Sequence, residues 1–276
     1  MLNDPAIDRA AGIGAHGQGA GRELLRTENL TKSYKTREGG KVFALDATSV
    51  TLADGEFVSV VGPSGCGKST LMKLVAGIIN RTDGEILYRG KSIANSQRDM
   101  GVVFQSPVLL PWLTILQNVL LPSRVLKIDM KAAEARAHEL LKLVGLGDFE
   151  GKYPTELSGG MQQRAGIVRS LIHDPSLLLM DEPFGALDAL TRERMSIELQ
   201  RIWLANRKTV FFITHSIAES VFLSDRVIVM SPRPGRIIEE FQIPFPRPRT
   251  FELVNTVEFG RYVSEIRDLL GAKADV

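Results

Sequence analysis

The chain has 276 residues, 44% of them hydrophobic and 24% charged, which is enough for one large globular domain or two small lobes. Its formal net charge of only +2 argues against a nucleic-acid groove, which usually shows a concentrated basic face, so no nucleic-acid partner is expected. Cys66 is the single cysteine, so an intrachain disulfide is excluded and nothing indicates an oxidising compartment.

The N-terminal region precedes a group of β-rich segments. Residues 1–23 are rich in glycine and alanine without a periodic apolar pattern, so a disordered tail is expected there. Segments 24–34, 41–56 and 84–90 have the composition of strands. We expect these strands to form a small antiparallel lobe around the glycine-rich segment 62–70.

The segment 62–70, called the phosphate loop below, reads GPSGCGKST. It follows a β-branched run, and an apolar pattern at helical spacing begins after it. This order is typical of loops whose backbone N–H groups surround phosphates while a lysine reaches the terminal ones and a hydroxyl ligates Mg²⁺. A glycine-rich turn without a ligand is the alternative interpretation. The residues predicted to bind nucleotide here are Gly62, Pro63, Ser64, Gly65, Cys66, Gly67, Lys68, Ser69 and Thr70, with Ser69 as the Mg²⁺ ligand.

A helical insert is predicted in the middle of the chain. The strand pattern at 100–105 ends in Gln105, and helical patterns at 111–122 and 130–145 follow it. We therefore expect a helical insert over about 106–160.

The segment 157–164, called the signature segment below, reads LSGGMQQR and opens another helical pattern. Ser158, Gly159 and Gly160 offer a hydroxyl and two unhindered backbone N–H groups at this helix N-terminus, which suits an anion. One nucleotide needs only one phosphate cradle, so a second cradle suggests that a neighbouring subunit's nucleotide is bound here. A simple serine-capped helix is the alternative, and the spacing does not separate the two.

The run SLLLMDEP at 176–183 ends in two carboxylates, as expected of a central parallel strand whose C-terminal end faces a ligand. Asp181 would hold Mg²⁺ through its water shell, and Glu182 could polarise an attacking water. A strand that ends in an acidic turn is the alternative. Helix and strand patterns then alternate over 191–230, which predicts right-handed crossovers around a parallel sheet.

The C-terminal region is predicted to leave this alternating pattern. The proline-bearing segment 231–249 forbids a regular helix and predicts a short hairpin leading to an extended arm, with a plain linker as the alternative. An amphipathic helix and a tail are expected over 256–276.

The order of these motifs resembles the ATP-binding subunit of an ABC transporter. The resemblance covers most of the chain and implies an α/β P-loop NTPase core with a parallel sheet, a small antiparallel β lobe and an inserted helical subdomain, together spanning 24–255. The motifs that carry the resemblance are Tyr34, 62–70, Gln105, 157–164, 177–183, 186–188 and His215.

The resemblance also implies roles for individual residues. Tyr34 would stack on adenine, Gln105 would sense Mg²⁺ and the γ-phosphate, and His215 would contact the γ-phosphate. Two copies would close head to tail on two ATP molecules, with the signature segment of each copy capping the nucleotide of the other. Glu182 and His215 would be catalytic. The implied Mg²⁺ ligands are Ser69, Gln105 and Asp181.

Transport partners follow from the same resemblance. No apolar run approaches the roughly 20 residues needed to span a bilayer, so the channel must be another polypeptide. A bacterial importer is favoured, with separate transmembrane permease subunits, an indirect link to a solute-binding protein and a peripheral position on the cytoplasmic face of the cell membrane. Segments 180–193 and 231–249 resemble cassettes of importers for nitrate, sulfonate and taurine-like solutes. A related organic anion, a metal complex or a pyrimidine precursor also stays open as the solute.

Apolar residues beside Gln105 have two interpretations. Core packing explains Leu109, Leu110, Trp112 and Leu113, and the functional alternative is a groove for a short coupling helix of the membrane subunit. Two other classes of protein also remain as alternatives, a soluble ABC-type ATPase acting on nucleic acid and a nucleotide-gated scaffold. A DNA-repair ATPase of the first class would interrupt the cassette with long coiled coils, and the insert has no sustained heptads, which disfavours it. The complete catalytic set disfavours the nucleotide-gated scaffold.

Overall fold

The structure is a computed structural model that describes residues 22–37, 39–185 and 187–271. Nearly all of the expected N-terminal tail therefore lies outside the described residues, as do Ala186 of the ALD motif and the last residues of the expected C-terminal tail. The first strand begins at Glu23, the final residue of the range expected to be disordered.

Strands and helices alternate along most of the described chain. The strands are β1 (Glu23–Lys35), β2 (Lys41–Ala53), β3 (Phe57–Val61), β4 (Asp83–Tyr88), β5 (Lys91–Ser92), β6 (Met100–Val103), β7 (Leu177–Asp181), β8 (Thr209–Ile213), β9 (Arg226–Met230) and β10 (Ile237–Gln242). The helices are α1 (Lys68–Val75), α2 (Ile115–Leu126), α3 (Met130–Leu143), α4 (Gly159–Leu171), α5 (Ala189–Asn206), α6 (Ile217–Leu223) and α7 (Val257–Gly271).

Two sheets organise the fold. The smaller sheet is antiparallel, in the order β2-β1-β4-β5. The larger sheet has the order β10-β9-β3-β8-β7-β6, and all of its neighbours are parallel except β10, which runs antiparallel to β9. Every residue of β3, β7 and β8 is buried, as expected of parallel strands covered on both faces. The predicted α/β fold with an antiparallel lobe is confirmed.

Three apolar clusters hold these layers together. One lies between the small sheet, α1 and one face of the large sheet, and it contains Leu25, Leu71 and Val60. A second lies on the other face of the large sheet under α5, α6 and α7. The third is formed by α2, α3 and α4, which gives the helical insert a core of its own.

Helix α2 begins later than the pattern at 111–122 predicted. Thr114 is its N-cap: the Thr114 hydroxyl accepts from the Gln117 N–H at 3.3 Å, and the Gln117 side chain accepts from the Thr114 N–H at 3.0 Å. This reciprocal capping box fixes the helix start after residues 111–113. The helix also continues through Pro122, where the sequence pattern predicted its end.

The C-terminal region follows the predicted course. Strand β10 forms the expected hairpin with β9, and α7 is the expected closing helix. Within residues 22–37, 39–185 and 187–271, no helix has both the length and the apolar character needed to cross a bilayer.

Candidate active site

The parallel strands bring the predicted site residues to one edge of the large sheet. The phosphate loop leaves β3, and Asp181 is the last residue of β7. Gln105 lies two residues beyond β6, and His215 lies two residues beyond β8. The carboxyl ends of neighbouring parallel strands meet at one edge, which is where ligands bind in open α/β sheets.

The phosphate loop has the backbone geometry that its glycines predict. Gly65 and Gly67 adopt left-handed conformations, with φ of 74° and 109°. A Cβ atom on Gly67 would lie only 2.7 Å from the carbonyl oxygen of Ala44, so a side chain is excluded there on steric grounds as well. The loop can therefore keep its backbone open towards a ligand while it packs against β2.

Lys68 lies along this loop at the start of α1. Its Nζ donates to the carbonyl oxygens of Gly62 at 2.8 Å and Pro63 at 3.0 Å, and the residue is only 6% exposed. Among the described residues, the Lys68 ammonium forms no ion pair with a carboxylate. Its positive charge is therefore available to an anionic ligand in the loop.

Ser69 and Asp181 form the next contact. The Ser69 hydroxyl donates to Asp181 Oδ1 at 2.9 Å. Burial raises the pKa of Asp181 above its ordinary value, and the hydrogen bond from Ser69 opposes that shift. A buried carboxylate beside a hydroxyl oxygen is a donor pair of the kind that hard cations such as Mg²⁺ prefer.

Glu182 lies at the centre of the predicted catalytic residues. Its φ of 46° is left-handed, an uncommon conformation for a residue with a side chain. Glu182 Oε2 accepts from Gln105 Nε2 at 3.0 Å and lies 3.4 Å from His215 Nδ1. The structure therefore brings together three residues that come from three different strand ends.

A partly buried acid, Glu219, holds the loop that carries His215. Glu219 accepts from the Thr214 hydroxyl at 2.7 Å and lies 3.4 Å from Arg192 Nε of α5. Burial raises the pKa of Glu219, and the Thr214 bond and the Arg192 charge oppose this effect. The sequence patterns gave no signal for Glu219 or Arg192, because their relation to His215 depends on the packing of α5 against α6.

A cleft of about 390 Å³ opens over the phosphate loop. Tyr34 lines one side of the cleft and is 46% exposed, and Lys32 Nζ lies over its ring at 5.0 Å from the centroid. Three lining residues, Val42, Ala44 and Arg233, were not predicted from the sequence. The full lining is Tyr34, Val42, Ala44, Ser64, Gly65, Gly67, Lys68, Ser69, Thr70, Glu182 and Arg233.

The signature segment is not part of this lining. Ser158 is the N-cap of α4, and its hydroxyl accepts from the Met161 N–H at 3.3 Å. Ser158 and Gly159 are exposed, and Gly160 is half-buried. The serine cap that formed the alternative interpretation is therefore present, and the same residues still present an accessible helix N-terminus to a molecule outside the chain.

Helix α4 also supports the residues around Gln105. Gln163, which is fully buried, donates through Nε2 to the Phe104 carbonyl at 3.1 Å. The Arg169 guanidinium donates to the carbonyls of Pro107 at 3.0 Å and Val108 at 2.8 Å. The sequence patterns indicated none of these contacts, which join the signature helix to the segment 104–108.

The apolar residues after Gln105 divide between the two interpretations. Leu109 packs against the core of the helical insert, whereas Trp112 is 69% exposed. The Asn118 side chain holds this loop in place, because its amide donates to the carbonyls of Leu110 at 3.1 Å and Leu113 at 3.0 Å. The loop therefore presents Trp112 from a fixed backbone.

Known proteins resemble this chain in sequence and in fold. A family model described as "ABC transporter" matches residues 45–185. The taurine import ATP-binding protein of Rhizobium johnstonii is 48% identical over 81% of this chain and 86% of its own length. The aliphatic sulfonates import ATP-binding protein of Bacillus cereus is 42% identical over 81% of this chain and 89% of its own length.

A solved dimeric ATP-binding cassette, in a post-hydrolysis state bound to ADP and Pi, matches the fold with a TM-score of 0.73 at 33% identity. It covers 81% of this chain and 100% of the solved chain. These likenesses confirm the family resemblance and the fold that the ordered motifs predicted.

Proposed function

Since this chain belongs to the ABC transporter family, we propose that it is the ATP-hydrolysing subunit that energises import of a sulfonate, taurine or a related small anion. The observation that carries the catalytic part is the position of Glu182 between Gln105 and His215, beside the phosphate loop. The solute class rests on the names of the relatives. We place the ATPase domain at 24–255, its helical insert at about 106–160 and the C-terminal helix and tail at 256–276.

Nucleotide binding is proposed to use the cleft over the phosphate loop. Tyr34 would supply an exposed aromatic ring for adenine, and the backbone of 62–70 would surround the phosphates. Lys68 would exchange its two carbonyl acceptors for phosphate oxygens as ATP enters. This exchange brings an ammonium charge to the position where negative charge must be neutralised.

The residues present fit a magnesium ion. The Ser69 hydroxyl and the Asp181 carboxylate lie within hydrogen-bonding distance of each other, and the amide oxygen of Gln105 is a third hard donor. Mg²⁺ held by these groups would neutralise charge on the ATP phosphates. Asp181 has a hydroxyl rather than a cation as its hydrogen-bond donor, so its carboxylate can accept a metal without losing an ion pair.

Hydrolysis is proposed to depend on Glu182 as the residue that orients water and accepts its proton. Gln105 donates to the Glu182 carboxylate and holds it in place. His215 is positioned from the opposite side and would donate a hydrogen bond to the γ-phosphate. Glu182 directly follows the buried strand β7, and Gln105 and His215 lie two residues beyond β6 and β8.

A second copy of the chain is proposed to complete each site. The exposed N-terminus of α4 at Ser158 and Gly159 would cover the terminal phosphates of the partner's nucleotide. ATP would hold two copies together, and hydrolysis would release them, which is a ligand-driven change between two states. Separate permease subunits on the membrane would respond to this opening, with the cassette on the cytoplasmic face and a solute-binding protein acting indirectly.

The shared site can be tested by measuring ATP turnover per chain against protein concentration. In the wild type the total hydrolysis rate should rise faster than linearly with protein concentration, so that turnover per chain increases, and Ser158→Arg should abolish turnover while leaving ATP binding to single chains intact. Thr256→Arg is the matched control, because Thr256 is another exposed hydroxyl residue that accepts from a helix N–H, at 3.3 Å, before α7. If turnover is independent of concentration and survives Ser158→Arg, each chain works alone and the transporter proposal fails.

A further inference from the structure

The turn between β9 and β10 packs directly against the phosphate loop. Its Gly235 approaches so closely that a Cβ atom there would lie 2.0 Å from the carbonyl oxygen of Cys66. The Gly235 N–H donates to the Ala44 carbonyl at 3.0 Å, and the Gly235 carbonyl accepts from the Asp46 N–H at 3.1 Å. The turn is therefore fixed to the phosphate loop on one side and to β2 on the other.

Hydrogen bonds within the turn hold it closed. The Ser231 N–H donates to the Arg236 carbonyl at 2.9 Å, and the Ser231 hydroxyl accepts from the Arg236 N–H at 3.0 Å. The Arg236 side chain then pairs with Asp46 of β2, with Nε donating to Oδ2 at 3.1 Å. The backbone between these residues cannot shift without breaking contacts to two other elements.

Arg233 lies at the tip of this fixed turn and lines the nucleotide cleft. Its Nη2 lies 3.8 Å from the point that a Cβ atom of Gly65 would occupy, which places the guanidinium above the phosphate loop. Arg233 is exposed, and its side chain forms neither a hydrogen bond nor an ion pair with any residue that the structure describes. Arg236 on the same turn is matched to a carboxylate, whereas Arg233 is not.

We propose that Arg233 contacts the phosphates of the bound nucleotide. An arginine needs no carboxylate partner if its role is to meet an anion that arrives from solution, and a guanidinium suits phosphate oxygens through paired N–H donors. The site above Gly65 favours the phosphates over the base, because Gly65 belongs to the segment whose backbone surrounds them. This inference rests on the proposed ATPase function and adds a contact from outside the recognised motifs.

The test compares nucleotide affinities of wild type, Arg233→Ala and Arg233→Lys. Arg233→Ala should weaken ATP and ADP binding about tenfold, equivalent to about 1.4 kcal/mol, and should leave adenosine binding unchanged. Arg233→Lys should recover part of the loss, since it keeps the charge without the paired donors. The matched control is Arg98→Ala, which removes an exposed arginine that is not part of the cleft lining.

The outcomes separate this inference from the proposed function. If Arg233→Ala binds ATP as tightly as wild type and Arg98→Ala, the proposed contact is wrong. If Arg233→Ala weakens adenosine as much as ATP, the role lies in the base or in the fold, and the phosphate contact is again wrong. If wild type fails to bind ATP at all, the proposed ATPase function itself is wrong. Thermal unfolding without nucleotide should be the same for wild type and Arg233→Ala, because Arg233 has no described side-chain partner to lose.

Discussion

Arg249 offers the sharpest test of how the C-terminal arm stabilises the catalytic domain. The residue is 3% exposed, and among the described residues its guanidinium donates only to backbone carbonyls, at 2.8 to 3.2 Å. Three acceptors lie at the end of α6, where helix carbonyls lack intrahelical partners, and two lie in the arm. The acceptors are Val221, Phe222, Ser224, Ile243 and Phe245.

Arg249→Met should remove all of these donors while keeping much of the buried volume. A buried carbonyl left without a donor costs about 1–3 kcal/mol, so the three helix carbonyls alone suggest a loss of about 3 kcal/mol at the lower bound. The substitution also removes the desolvation cost of the buried guanidinium charge, which offsets part of any loss of stability beyond that lower bound. Burial, together with the neighbouring Arg247, lowers the pKa of Arg249 to about 9, so the guanidinium is still charged at pH 7.

Urea unfolding without nucleotide measures this prediction directly. In urea, the free energy of unfolding should fall by about 3 kcal/mol. In thermal unfolding, the melting temperature should fall by about 6–12 °C, at about 2–4 °C for each kcal/mol in a chain of this size. Arg249→Lys should lose less, because lysine keeps the charge and three donors. Arg261→Met on the exposed face of α7 is the control and should unfold like wild type. A change below about 0.5 kcal/mol in Arg249→Met would refute the argument that its guanidinium satisfies the end of α6.

Two further predictions concern catalysis and coupling. Glu182→Gln should lower turnover at least about a hundredfold, because the amide keeps the contact to Gln105 but cannot accept a proton, and gel filtration at saturating ATP should show a closed dimer. A monomer under those conditions would contradict the shared-site mechanism. Trp112→Glu should abolish transport in vesicles and spare basal hydrolysis, whereas Val125→Glu, at another exposed apolar position, should spare both. Intact transport by the Trp112 variant would rule out the docking groove.

Local patterns predicted the fold well because each major element carries its own signal. The buried strand before the phosphate loop, the capped helix that begins in the signature segment and the acidic end of β7 are all properties of short contiguous segments. The start of α2 was misplaced because the capping pair Thr114 and Gln117 competes with the apolar pattern that begins at residue 111. In this case the reciprocal side-chain bonds decide the boundary.

The supporting contacts of the site could not be predicted in the same way. Arg233 reaches the cleft because Gly235 packs on Cys66, which is 169 residues earlier in the chain by their numbers. Glu219 supports the loop of His215 because α5 brings Arg192 to it. Both relations depend on how distant elements pack, and a single sequence gives no pattern for such packing.

Helix α4 connects the signature segment, the backbone around Gln105 and the segment that leads to Trp112. It begins in the signature segment, and its Gln163 and Arg169 hold the backbone on both sides of Gln105. Gln105 in turn donates to Glu182, and the same held segment leads to the exposed Trp112. A displacement of the helical insert must therefore move Gln105 relative to Glu182, or break the hydrogen bonds that Gln163 and Arg169 donate to the segment 104–108. In the proposed mechanism, docking at Trp112, closure over a partner's nucleotide and the contact at Glu182 would be linked through this helix, and substitution of Gln163 or Arg169 would weaken that link.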